Sequence, residues 1–167
     1  MLQLTVSLKR LFITALILAV MMSLATFAQE NGRIAELTKK SDLIFVGRVQ
    51  GIHSEWNKNK TRIYSRITLK IDQLVKGEAQ GSDVSFLQLG GEIGTIGEVY
   101  SDIPRFKDNE GVLLFLEKTD TGVNYRVTGG MEGKFPVEIN TKLNQKTVGG
   151  TDLNNIIGQI KNVELKR

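Results

Sequence analysis

The chain has 167 residues, 41% hydrophobic and 24% charged, with no cysteine, one histidine and one tryptophan. This excludes a disulfide scaffold and a zinc site of several Cys or His ligands, and it leaves only His53 for a Ser-His-Asp or Cys-His device. The formal charge is +4, but without Lys9 and Arg10 of the first 28 residues 20 basic side chains face 18 acidic ones, which gives no electrostatic ground for a nucleic-acid partner.

Residues 1–28 are expected to be a secretory signal peptide. Lys9 and Arg10 precede the uncharged apolar run Leu11 to Leu24, and Thr26 and Ala28 are the small residues at −3 and −1 of a cleavage point before Gln29. The alternative is an uncleaved anchor, because the run approaches the length that spans a bilayer. No cysteine is present to carry a lipid, so the product is expected in the periplasm or outside the cell as a non-lipoprotein. No transmembrane span is expected after cleavage. Residues 29–167 are then a single domain, large enough to bury a core without disulfides.

Asn31 to Lys40 reads as a short helix with Ile34 and Leu37 on one side. Ser41 to Ile52 reads as a strand whose interior glycines, Gly47 and Gly51, mark bending or close backbone approach. From Arg62 to Asp72 the residues alternate, Ile63, Ile67, Leu69 and Ile71 on one face, and the phase breaks at Gln73 to Val75, the signature of a bulge before the Lys76-Gly77 turn. Further strands are predicted at Asp83–Leu89, at the wholly apolar Gly111–Glu117, at Tyr125–Val127 across a turn, and at Gly133–Ile139, where Pro136 belongs at an edge or bulge. A helix over about 151–163 closes the chain, capped by Thr151 or Asp152, with Leu153, Ile156, Ile157, Ile160 and Val163 in one stripe. Short strands at close spacing with a helix at each end predict a mainly β fold, a small antiparallel OB-like barrel.

The stretch LQLGGEIGTIGEVYSDIPRF, Leu87 to Phe106, carries four glycines after a strand and invites a phosphate-loop reading. It lacks both G-x-G-x-x-G and G-x-x-x-x-G-K-[ST]. No helical period follows to offer free N–H groups to an anion. The acidic residues Glu92, Glu98, Asp102, Asp108 and Glu110 are scattered among turns, which leaves a carboxylate-based hydrolase as the weakest of three readings. No metal or cofactor is expected. The ligand-binding candidates are Gly90, Gly91, Glu92 and Gly94 of the glycine stretch, with His53 and Trp56 beside the basic loop of Lys58, Lys60 and Arg62. Gly47, Gly77, Pro104 and Phe106 are assigned structural roles, with Phe106 closing one barrel end.

In order, SDLIFVGRV, IYSRITLKIDQLVKG, LGGEIG with IPRF, GVLLFLEK and GKFPV resemble a family of exported bacterial domains with the pattern SDLxxxGxV, KG, GGxxG, PxF, VLLFL and GKF, over roughly Ile34 to Ile139. That family carries no assigned activity. Asp42 to Val46 and Ile63 to Gly77 also resemble the netrin-like module, including the N-terminal domain of tissue inhibitors of metalloproteinases. That resemblance implies a five-stranded OB-like barrel. It does not carry the inhibitory device, which needs a mature N-terminal cysteine. The expected function is a non-enzymatic binding module acting on another exported or cell-envelope protein; the alternative is a cysteine-free inhibitor or regulator of an exported protease.

Overall fold

The computed structural model describes residues 32–120 and 124–166; the expected signal segment lies outside them. The chain falls into two units, Met1–Ile34 and Ala35–Arg167, and the architecture described here is that of the second. A first helix, α1 (residues 32–40), straddles the boundary.

The main sheet begins with two long strands, β1 (Leu43–Trp56) and β2 (Ile63–Lys76), paired antiparallel along their whole length. The inward row of β2 is the one expected from alternation, with Ile63, Ile67 and Leu69 buried and a serine, Ser65, standing among them. The pairing skips one residue at Asp72 and another at Val75, where the sequence loses phase. A third skip, at Gln50 in β1, inverts that strand. Before it Phe45 and Val49 point into the core; after it Ile52, Ser54 and Trp56 stand opposite Ile67, Ser65 and Ile63. Bulges of this kind bend and twist a strand, and Gly47 belongs to the same bend, since a Cβ there would overlap the Lys70 carbonyl.

β3 (Asp83–Leu89) pairs with β2, and β6 (Gly111–Lys118) pairs with the other side of β1. Val112 to Leu116 of β6 are fully buried, as a strand covered on both faces requires. β7 (Tyr125–Val127) and β8 (Lys134–Pro136) both pair with β6, giving the order β3-β2-β1-β6-β7 with β8 beside β7. Pro136 sits on this outer strand, where a missing N–H costs no ladder bond. A 3-10 turn, Gly130–Gly133, links β7 to β8. All pairings are antiparallel, and among the described residues none joins β3 to β7, so the sheet is curved but not closed into a barrel by hydrogen bonds.

One core lies inside the curve and contains Leu43, Phe45, Val49, Ile67, Leu69, Phe86, Val112, Leu114 and Leu116. Phe106 joins it, meeting Phe86 edge to face at a centroid distance of 5.8 Å. On the opposite face Ile44, Val46, Leu113 and Phe115 are also buried, and Phe115 packs edge to face on Phe135. Strand Gly133–Ile139, expected as one, is two: β8 ends at Pro136, and β9 (Glu138–Asn140) leaves to form a small sheet with β10 (Gln145–Val148) and β11 (Thr151–Asp152).

The last element, α2 (Leu153–Leu165), starts at Asp152, whose side chain accepts the Asn154 N–H at 2.7 Å. Its Leu153, Ile156, Ile157 and Ile160 are buried. Lys76 holds both helices: its ammonium donates to the Thr38 carbonyl at 2.7 Å and lies 2.8 Å from Glu164. Gly77 beside it has φ +83°, and a Cβ there would overlap the Asp42 carbonyl, so the turn admits no side chain. No helix among the described residues is long and apolar enough to cross a membrane.

Candidate functional site

Between β3 and β6 the chain makes an excursion that the sequence pattern did not resolve. It folds as a miniature hairpin, β4 (Gly91–Ile93) and β5 (Ile96–Glu98), and returns through Tyr100 to Phe106. The hairpin lies against the far end of the β1–β2 ribbon. There the inward side chains are serines: Ser54 and Ser65 share a hydrogen bond of 2.9 Å, and Ser65 donates to the Gly90 carbonyl at 2.7 Å. Gly90 N–H donates in turn to Ile63 O. Gly91, at φ +142°, passes so close that a Cβ would overlap both serine hydroxyls. Glycine is required here by conformation and by space.

This arrangement leaves a cleft of about 320 Å³. One wall is the ribbon, with Ile52, Ser54, Ser65 and Ile67; the other is the returning chain, with Val99, Tyr100, Ile103 and Pro104. Phe106 lies at its base and Glu92 and Arg105 at its exposed rim. Glu98 secures the hairpin, accepting from Ile63 N–H at 3.2 Å and from the Tyr100 hydroxyl at 3.1 Å. Partial desolvation, and then the hydrogen bond to Glu98, raise the Tyr100 phenol above its ordinary pKa. The return segment is pinned by Lys134. Its ammonium contacts Glu110 at 2.8 Å, donates to the Arg105 carbonyl and stands 4.8 Å from the Phe106 ring centroid.

Of the residues expected to bind, Gly90, Gly91 and Glu92 line the cleft. Gly94 is at the hairpin tip with open space around its Cβ position. Trp56 is half-buried on the inward row of β1 beyond the cleft, and His53, one residue out of phase with Ile52 and Ser54, is exposed on the opposite face beside Arg66. The two do not join the glycines. Pro104 and Phe106 are buried; the Phe106 ring joins the core and meets Phe86 edge to face.

Ser54, Ser65, Gln88 and Tyr100 escaped the sequence reading. A serine at an inward position of an alternating strand, as at Ser65 between Ile63 and Ile67, is the signal by which the serines could have been found. Among the carboxylates, Glu110 is held by Lys134 and Glu98 by the hairpin. Among the described residues no cluster of three or more His, Cys, Asp or Glu could hold a metal ion. Comparison with protein families, curated proteins and solved structures finds no match to this chain.

Proposed function

We propose that the chain is an exported, non-enzymatic binding module whose ligand seats in the cleft between the β1–β2 ribbon and the 90–106 excursion. One observation carries the reading: the excursion is tied to the end of the ribbon at Ser54, Ser65, Gly91 and Glu98 and then returns along a separate wall, so that apolar walls and a few oriented polar groups face the same space. Such mixed concavities are the usual form of ligand sites. Ile52, 36% exposed, and Val99, 59% exposed, leave apolar surface at its mouth. The resemblance to exported domains and to the netrin-like module agrees with a binding role on an OB-like sheet, in the first case without an assigned activity. The partner in this reading is another exported or cell-envelope protein.

The test is a screen of small-molecule fragments against the isotope-labelled protein by amide chemical shift. The reading expects hits that move the amides of Ser54, Ser65, Gly91 and Tyr100 together, and that are lost in Val99→Arg. Hits scattered over the surface, or none at the cleft, contradict it.

A further inference from the structure

The face of β1, β2 and β3 turned away from the core carries three neighbouring cross-strand rows. In the first, Arg48 stands opposite Lys70, with Asp83 on the far side of Lys70. In the second, Gly51 is opposite Thr68, with Ser85 beyond; in the third, His53 is opposite Arg66, with Leu87 beyond. The rows thus hold three cations and a histidine against one carboxylate. Like charges directly opposite destabilise an antiparallel pair, and Arg48 against Lys70 is such a pair. Among the described residues neither Lys70 nor Arg66 has an ion-pair partner, and Arg48 donates to the Asn109 carbonyl at 2.8 Å. Asp83 makes no ion pair with Lys70. Asp72, the next carboxylate along β2, borders a separate hollow with Lys146, and Glu55 stands opposite Tyr64, one row past His53.

Two further features lie in the middle row. The hydroxyls of Thr68 and Ser85 share a hydrogen bond of 2.9 Å; whichever donates, the other keeps a free O–H. Gly51, opposite Thr68, brings no side chain, and nothing lies within 4 Å of where a Cβ would stand. The row therefore has an open gap beside its hydroxyls, with a cationic row on each side. Two residues of strand span about 7 Å, so Arg66 and Lys70 flank Thr68 at equal distance, within reach of their long side chains.

We propose that this face binds a tetrahedral oxyanion of the phosphate class, seated over Thr68 in the gap at Gly51. Lys70 and Arg66 close on it from the two sides, with Arg48 and His53 next to them. A dianion supplies the countercharge that the fold leaves out. Its several oxygens accept from guanidinium, ammonium and hydroxyl together, which a monovalent carboxylate does less completely. Free phosphate and the phosphate of a lipid headgroup share this chemistry. The site lies on the other face of the ribbon from Ile52, Ser54, Ser65 and Ile67 of the cleft and does not depend on the cleft reading.

The test titrates inorganic phosphate into the isotope-labelled protein at constant ionic strength, with acetate as the reference anion. The amides of Gly51, His53, Thr68 and Ser85 are expected to shift together and to saturate, half-way at roughly 1–30 mM, while acetate does not saturate over that range. Lys70→Gln and Arg66→Gln should each weaken binding by roughly two- to fivefold, and Lys146→Gln, outside the three rows, should leave it unchanged. Gly51→Glu has open space for its side chain, puts a carboxylate into the gap and should abolish saturation; the Lys70→Gln/Arg66→Gln double variant does the same should it misfold. Co-sedimentation with vesicles separates the sources. Retention on phosphatidylglycerol but not phosphatidylcholine vesicles, lost in Gly51→Glu, supports the site with a lipid headgroup as its ligand. Saturable phosphate binding without retention supports it with a soluble ion. Shifts that do not saturate, that acetate reproduces equally, or that survive in Gly51→Glu overturn the proposal.

Discussion

Substitution of Gly91 by alanine tests the construction of the cleft. The residue sits at φ +142° with the hydroxyls of Ser65 and Ser54 where a Cβ would go. Holding a side chain in such backbone geometry costs about 1–3 kcal/mol. Displacing the Ser54–Ser65 pair forfeits a hydrogen bond worth about 0.5–1.5 kcal/mol. Gly91→Ala is therefore expected to lose roughly 2–4 kcal/mol of stability, read from urea unfolding with the fluorescence of the sole tryptophan, Trp56, as probe. Two glycines of the same region serve as internal references. Gly94 has φ +61° but open space, so its alanine variant pays only the left-handed conformation, about 1–2 kcal/mol. Gly51 has neither positive φ nor a neighbour within 4 Å of a Cβ, and alanine there should be neutral or stabilising by up to about 1 kcal/mol. A Gly91→Ala variant within about 0.5 kcal/mol of the parent, or one no worse than Gly51→Ala, refutes the close approach on which the cleft is built.

Three more outcomes follow from the contacts. Glu110→Ala strands the Lys134 ammonium, whose side chain is only 9% exposed; the loss should be about 2–4 kcal/mol, with Lys134→Met/Glu110→Leu recovering most of it, in a double-mutant cycle by urea unfolding. Asp152→Ala removes the cap of α2 and should cost about 1 kcal/mol, seen as an earlier thermal midpoint. Because partial desolvation and then the Glu98 hydrogen bond hold the phenol of Tyr100 protonated, it should titrate above the ordinary tyrosine value in ultraviolet difference spectra, and Glu98→Gln should bring it down. The sign for stability is fixed: the contribution is full below the ordinary tyrosine pKa and is lost as pH rises through the raised one.

What the sequence disclosed depended on how much apolar pattern each segment carried. β2 and β6 were legible because Ile63, Ile67 and Leu69 alternate and Val112 to Leu116 run unbroken, and α2 because its apolar stripe follows a capping residue. The far half of β1 was cut short at Ile52. Beyond the bulge at Gln50 its inward row is Ile52, Ser54 and Trp56, and one serine is enough to erase the alternation. The β4–β5 hairpin has three residues per strand and glycine at one end or the centre, too little for any period to register. β9 to β11 are short and largely polar, so their pairing depends on tertiary placement. The glycine stretch was identified as the place of interest, and Gly90, Gly91 and Glu92 do line the cleft. His53 was set apart from it by strand phase, which the bulge reversed.

The central claim is that a partner is bound at the cleft, and site-specific photo-cross-linking in cells that produce the protein measures it most directly. A photoreactive residue at Ile52 or Val99, on the mouth of the cleft, should give one discrete cross-linked product, while the same residue at Leu143, exposed on the β9–β10 turn, should give none. The same product from Leu143, or no product from either cleft position, contradicts the account.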